Sequence, residues 1–205
     1  GIYANSDIVT QKRIMSAFGT LTASDERIKT NIDDVGAWVS ALDTLRLLKP
    51  KQYTYKDVVN RGEQPVWGFI AQEVRDTLPY ATKLRTEYVP DMYTLAKVSD
   101  KNKILYGTSK LNSGEKIKII TPDGEDVYTT IIEIIDNTTF RIDTDLKHKE
   151  IFLFGREVED FTFLNKDSIF TITTAALQEI DTQLQNEKQR KENLKTGLKT
   201  LEEMF

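Results

Sequence analysis

Residues 22–32 read Thr-Ala-Ser-Asp-Glu-Arg-Ile-Lys-Thr-Asn-Ile, which places a serine, Ser24, five positions before a lysine, Lys29. Such a pair can carry out acyl transfer if Ser24 is the nucleophile and Lys29 the base that takes its proton. Two conditions follow. A lysine with its ordinary pKa near ~10.4 is protonated at neutral pH, so it must be desolvated or set beside other cations before it can act as a base. Arg27, two positions away, is one such cation. Five steps along an ideal helix rotate about 140°, so the two side chains meet only if Ser24 lies on a loop ahead of the helix. The same run also has a structural reading. Ser24 or Asp25 caps a short helix, Ile28 and Ile32 point at the core one turn apart, and Arg27 and Lys29 stay in solvent.

Composition narrows what else the chain can do. Its 205 residues include no cysteine and one histidine, His148. Disulfide scaffolds, cysteine zinc sites, thiol nucleophiles and redox motifs are excluded, as are metal sites built on several imidazoles. A Ser/His/Asp triad would have to use His148, which reads as a surface loop residue in DLKHKE. With 28 Lys and Arg against 32 Asp and Glu, the net charge of −4 argues against nucleic acid or an anionic membrane as partner. The longest apolar runs, such as Val127 to Ile135, fall short of the ~20 residues a membrane helix needs. No cofactor or metal is expected. The glycines at 114 and 124 sit in hairpin turns rather than in a phosphate-binding loop.

Four textures divide the chain. Residues 1–23 are rich in small and hydroxylated residues without a helical period. They look like the end of something longer, and Gly1 is not a start methionine. From 24 to about 98 the pattern is mixed. Val35, Trp38, Val39, Leu42, Leu45 and Leu48 recur at steps of three and four, which predicts a helix capped by Asp33 or Asp34 and stopped by Pro50. Tyr53 and Tyr55 alternate as in a strand, Asn60-Arg61-Gly62 signals a turn, and a buried strand around Gly68 leads into the helix AQEVRDTL. Trp38 and Trp67 read as core or interface anchors.

From 103 to about 156, KIKII, VYTTIIEII, TFRID and IFLFG are β-branched and aromatic runs separated by turns. They predict an antiparallel module of about five strands, a barrel or a sandwich. The last segment, from about Phe170 to Phe205, predicts one long helix. Phe170, Leu177, Leu184, Lys191, Leu198 and Phe205 fall at heptad position a; Thr173, Ile180, Glu187, Leu194 and Leu201 fall at d. This narrow seam favours self-association over packing on its own domain.

Three motifs occur in order: SDERIKTNI (24–32), LRLLKPKQYTY (45–55) and WGFIAQEV (67–74). With them the chain resembles the intramolecular chaperone and auto-processing domain of endosialidases and phage tail spikes, the peptidase S74 family. The β-rich stretch makes it similar to the longer versions in large DNA viruses. The resemblance implies a homotrimer at the C-terminus of a fibrous viral protein, which templates folding of an upstream passenger and then cuts itself off. Ser24 would be the nucleophile and Lys29 the general base, with the scissile bond between Ala23 and Ser24. Asp25, Arg27 and Asn31 would be supporting residues, Asn31 or a backbone N–H being a candidate oxyanion donor. Gln72 and Glu73 either bear on the site or on trimer contacts, or pack beside Ile70 and Val74.

The expected architecture is therefore α+β: the end of a passenger at 1–23, a chaperone core at 24–102, a β insert at 103–156, and a return to the core with a coiled-coil helix at 157–205. The expected partners are other copies of the chain and its own passenger. Assembly would take place in the host cytoplasm, with the passenger kept in the virion and the chaperone fragment released. The competing readings are a trimerisation tip that does not cut, and a ligand-binding module carried by the insert.

Overall fold

The computed structural model of the chain describes residues 23–37, 39–99, 102–107 and 110–204. The expected passenger end at 1–22, Trp38 and Phe205 lie outside the described residues. The fold is mixed α and β with antiparallel sheets and a long C-terminal helix.

Two cores organise it. The first lies inside a barrel made of β4 (Thr94–Ser99), β5 (Lys103–Leu105), β6 (Lys116–Ile120), β7 (Asp126–Asp136), β8 (Thr139–Ile142) and the first half of β9 (Glu150–Leu164). The strands follow the order β9-β4-β5-β8-β7-β6, and β6 pairs back onto β9, which closes the ring. Alternation puts Ile117 and Ile119, Phe140 and Ile142, and Ile151 and Leu153 inside, all of them buried. Together with Ala96, Ile104 and Ile131 they fill the interior. Register shifts on β7, and between Lys118 and Ile119, supply the local bends that closure of a small barrel needs. The five strands expected between 103 and 156 are present, and the sheet also recruits β4 and β3 (Thr82–Tyr88) from before that stretch.

The second half of β9 leaves the barrel and pairs with β3 as a two-stranded ribbon. β9 thus changes neighbour along its length, from β4 at Glu150–Leu153 to β3 at Glu157–Leu164. At the crossover, Val89 N–H donates to the Arg156 carbonyl at 2.9 Å and Tyr93 N–H to the Phe154 carbonyl at 3.1 Å. Gly155 lies between them. A Cβ there would overlap the Val89 carbonyl oxygen and come within 2.8 Å of the Asp91 nitrogen, so only glycine admits this backbone approach. Arg156 locks the crossover with Nε donating to Asp91 at 2.8 Å and Nη1 to the Lys110 carbonyl at 2.9 Å.

The ribbon leads to the second core, formed by α1 (Ala41–Leu47), α3 (Ala71–Thr77), the 3-10 turn Pro79–Ala81 and the start of α4 (Lys166–Glu202). Ala41, Leu42, Leu48, Val74, Leu78, Ile169, Ile172 and Ala176 meet there. Asn165 caps α4 by accepting from Asp167 N–H. From Asp181 to Met204 every residue of α4 and its end is exposed. A small ribbon of β1 (Lys51–Tyr53) and β2 (Val66–Gly68), with the one-turn α2 (Val58–Arg61) between them, completes the fold.

Several expectations are corrected. The helix expected from Val35 begins only at Ala41, and its cap is Ser40, whose Oγ accepts from Asp43 N–H, not Asp33 or Asp34. Gly36 adopts φ 96° and the chain turns at Asp34–Ala37, which interrupts the apolar period and leaves Val35 and Val39 exposed. The turn signalled by Asn60-Arg61-Gly62 is the end of the one-turn α2, with Gly62 at φ 82° as its cap. The strand at 66–68 is an edge of a two-stranded ribbon, and Trp67 on it is 85% exposed, so it anchors no core of its own chain.

The Gly155→Ala substitution is expected to cost at least about 2 kcal/mol by overpacking the crossover. Chemical denaturation checks this; an unchanged midpoint would contradict the assigned role of the glycine.

Candidate functional site

Ser24 lies on extended chain, the 3-10 turn Glu26–Ile28 follows, and Lys29 is in extended conformation again. Chain reversal across that turn, not helical pitch, brings the two together: Lys29 Nζ donates to Ser24 Oγ at 2.7 Å. Both residues are exposed, as is Ala23.

The turn between them is built by Asp25. Its carboxylate caps the turn by accepting Arg27 N–H at 2.9 Å, and it also accepts Arg27 Nε at 2.9 Å and Nη2 at 2.7 Å. The bonds from Arg27, side chain first and backbone second, hold the Asp25 carboxyl below its ordinary range, and the pairing raises the guanidinium in turn. Arg27 was expected to help keep Lys29 deprotonated by its charge. Its guanidinium is instead neutralised by Asp25, so its place in the site is to shape the turn. Backbone bonds from Ile28 N–H to the Asp25 carbonyl and from Lys29 N–H to the Glu26 carbonyl finish the reversal.

Asn31 stands at φ 53°, a left-handed conformation that asparagine tolerates, and its Oδ1 accepts from Thr30 Oγ1 at 3.5 Å. The structural reading of this run placed Ile28 and Ile32 in the core. They are 68% and 63% exposed, because the turn is 3-10 and stands off the body instead of packing on it as a helix.

The other singled-out residues lie elsewhere. Glu73 on α3 is half-buried and receives Lys51 of β1 at 3.4 Å, so it ties helix to ribbon, while Gln72 beside it is exposed. His148 occupies a loop, where its Nε2 lies 3.2 Å from Asp123 and its side chain is 30% exposed. No group of three or more His, Cys, Asp or Glu among the described residues could hold a metal ion.

Two polar residues that matter for placing the site were not singled out from sequence. Ser40 donates to Glu179 on α4 at 2.7 Å, and Leu42 N–H donates to the same carboxylate at 3.1 Å. The Ser40-x-x-Asp43 spacing is a cap signal visible in the sequence, but Glu179, 139 positions away, carries none.

The comparisons join this geometry to a family. Residues 24–83 match the family model of peptidase S74, the chaperone of endosialidase. The S74 match opens on Ser24 and takes in Lys29, α1, α3 and the β1–β2 ribbon. It supports a chaperone role for this segment. Over 263 aligned positions the chain is also 30% identical to a protein named uncharacterized protein VP1 from Micromonas pusilla reovirus (isolate Netherlands/2005). That alignment takes in 100% of this chain and 14% of the relative, so the chain spans about one seventh of the length of the viral protein it matches.

The Asp25 carboxyl is expected to titrate below 3.8, and replacing Arg27 with Gln to move it back up. An NMR pH titration reads this. A carboxyl insensitive to the substitution would show that the Asp25–Arg27 pair does not build the turn.

Proposed function

We propose that the chain is the intramolecular chaperone of a longer viral protein, and that it frees an upstream passenger by cutting itself between Ala23 and Ser24. The observation that carries this reading is the 2.7 Å hydrogen bond between Lys29 Nζ and Ser24 Oγ at the head of an S74 segment. In the proposed step Ser24 Oγ attacks the carbonyl carbon of Ala23 while the neutral Lys29 amine takes the hydroxyl proton. The Ala23–Ser24 C–N bond breaks, and the proton passes to the departing Ser24 nitrogen. Water then hydrolyses the resulting ester, giving the Ala23 carboxylate and restoring the Ser24 hydroxyl. A backbone N–H or Asn31 would stabilise the oxyanion.

Assembly belongs to the same proposal. Phe170, Leu177, Ile180, Leu184, Leu194, Leu198 and Leu201, all on the expected heptad seam, are exposed along one stripe of α4, while Ile169, Ile172 and Ala176 face the core. Three copies joined through that seam would account for a helix of 37 residues whose outer half is exposed from Asp181 on. The proposed order is assembly in the host cell, passenger folding, cleavage, release of the chaperone fragment and retention of the passenger in the virion. Partners are then other copies and the passenger, with no role for nucleic acid, membrane or cofactor. No helix among the described residues is long and apolar enough to cross a membrane.

Coupling of cleavage to assembly follows from exposure. Lys29 is exposed in the single chain, and a neighbouring copy packed on the exposed Ile28, Ile32, Val35 and Val39 would exclude water from it, the condition under which a lysine amine serves as a base. The same exposure favours a second reading, in which the chain trimerises and templates folding without cutting and Ser24 is a structural residue.

Ser24→Ala and Lys29→Ala, each in the longer protein with its natural passenger, separate the two readings on a denaturing gel. Each substitution is expected to slow cleavage at least about 10²-fold, and the native product is expected to begin at Ser24. Persistence of the short product in both variants would overturn the dyad.

A further inference from the structure

From Ala23 to Val39 the described residues bury no side chain. Among the described residues of the segment that carries Ser24 and Lys29, none packs into a core, and Ser40 is where its side-chain hydrogen bonds to the folded body begin. Their acceptor is a carboxylate. Glu179 of α4 accepts from Ser40 Oγ at 2.7 and 3.0 Å and from Leu42 N–H at 3.1 Å, while Gln183 Nε2 steadies it from one turn further on at 3.2 Å. The bond from Ser40, followed by the backbone N–H of Leu42, keeps the Glu179 carboxyl below its ordinary range, so it is ionised at neutral pH.

The surroundings make this contact decisive. On the N-terminal side of Ser40, residues 34–37 and Val39 face α4 across an open groove of about 920 Å³, with Val35 and Val39 on one wall and Thr174, Gln178 and Thr182 on the other. Glu179 bridges that groove at one end through its bonds to Ser40 and Leu42. On the helix, Glu179 follows Leu177 and precedes Ile180, two exposed seam residues, and lies one turn beyond the buried Ala176. One turn of α4 therefore presents the seam outward, the core inward and the tether to the site-bearing segment on its third side.

We propose that Glu179 is a positioning residue for self-cleavage. It ties the Ser24–Lys29 segment to the turn of α4 that meets the other copies, so that helix association sets where the scissile bond lies. This rests on the proposed Ser24/Lys29 chemistry and adds to it a residue that touches neither the scissile bond nor the dyad.

The test measures the first-order rate of self-cleavage in the longer protein with its passenger, with oligomeric state followed by sedimentation. Glu179→Ala is expected to slow cleavage about 10- to 100-fold in chains that still assemble. Glu179→Gln keeps an acceptor for the Leu42 and Ser40 donors and is expected to recover most of that loss. Ser40→Ala, which removes one donor, is expected to fall between them and decides the matter should Glu179→Ala fail to assemble. Hydrogen exchange at the Leu42 amide is expected to quicken in step with the loss of rate, a local readout that general destabilisation would not single out. Assembled Glu179→Ala or Ser40→Ala chains cleaving at the native rate, while Ser24→Ala is inert, would overturn the positioning role alone. Cleavage by Ser24→Ala, or none by the native chain, would overturn the dyad and this inference with it.

Discussion

The contact between Lys29 Nζ and Ser24 Oγ on an exposed turn is the interaction on which the rest of the molecule depends. The Lys29–Ser24 hydrogen bond has the length that proton transfer needs, but it stands on a segment whose described residues, up to Val39, are all exposed. Its geometry is maintained locally by the Asp25–Arg27 pair, which shapes the reversal and engages the Arg27 charge in doing so. Desolvation cannot come from the chain's own core, because Ile28 and Ile32 point away from it. In the proposed mechanism a neighbouring copy supplies the desolvation that the described core does not, and that makes cleavage dependent on assembly.

The rest of the fold answers the need to hold such a segment in place. α4 is anchored at its start by Ile169, Ile172 and Ala176 in the second core, holds the approach to the site through Glu179, and projects its seam outward beyond Asp181. The barrel is joined to this core by the β3–β9 ribbon, and Gly155 and Arg156 secure the point where β9 passes from one to the other. At the ribbon's barrel end, the ring of Tyr88 lies against that of Tyr128 of β7, tilted by 48° with centroids 5.0 Å apart. Partial burial and its bond to Glu157 push the Tyr88 phenol up to about 12, while Lys116 pairs with the same carboxylate from β6. The barrel interior is filled by side chains, and a small pocket of about 250 Å³ opens beside Met92, Tyr106, Leu111 and Arg156.

What the sequence disclosed follows the range of the forces involved. The strands at 116–120, 126–136 and 139–142 and the helix at 166–202 rest on local period and turn chemistry, and their spans could be read from the residues. Closure of the barrel could not, because the β6–β9 pairing joins segments some forty positions apart and leaves no local mark. The helix expected over 35–48 was read too long because Val35 and Val39 keep the period while Gly36 breaks the backbone. Ser24 and Lys29 were legible as a motif, and the need for a loop between them followed from helical pitch. The tether at Glu179 was not, since a glutamate on a long polar helix resembles its solvated neighbours until the fold brings Ser40 to it.

The most direct measurement is the self-cleavage rate of the longer protein carrying Leu194→Asp and Leu201→Asp. These two seam positions lie far from both cores, so the substitutions break association and leave the monomer fold in place. The account predicts a monomeric chain by sedimentation whose cleavage is at least about 10-fold slower, because no neighbour desolvates Lys29. A monomeric chain that cleaves at the native rate would contradict it.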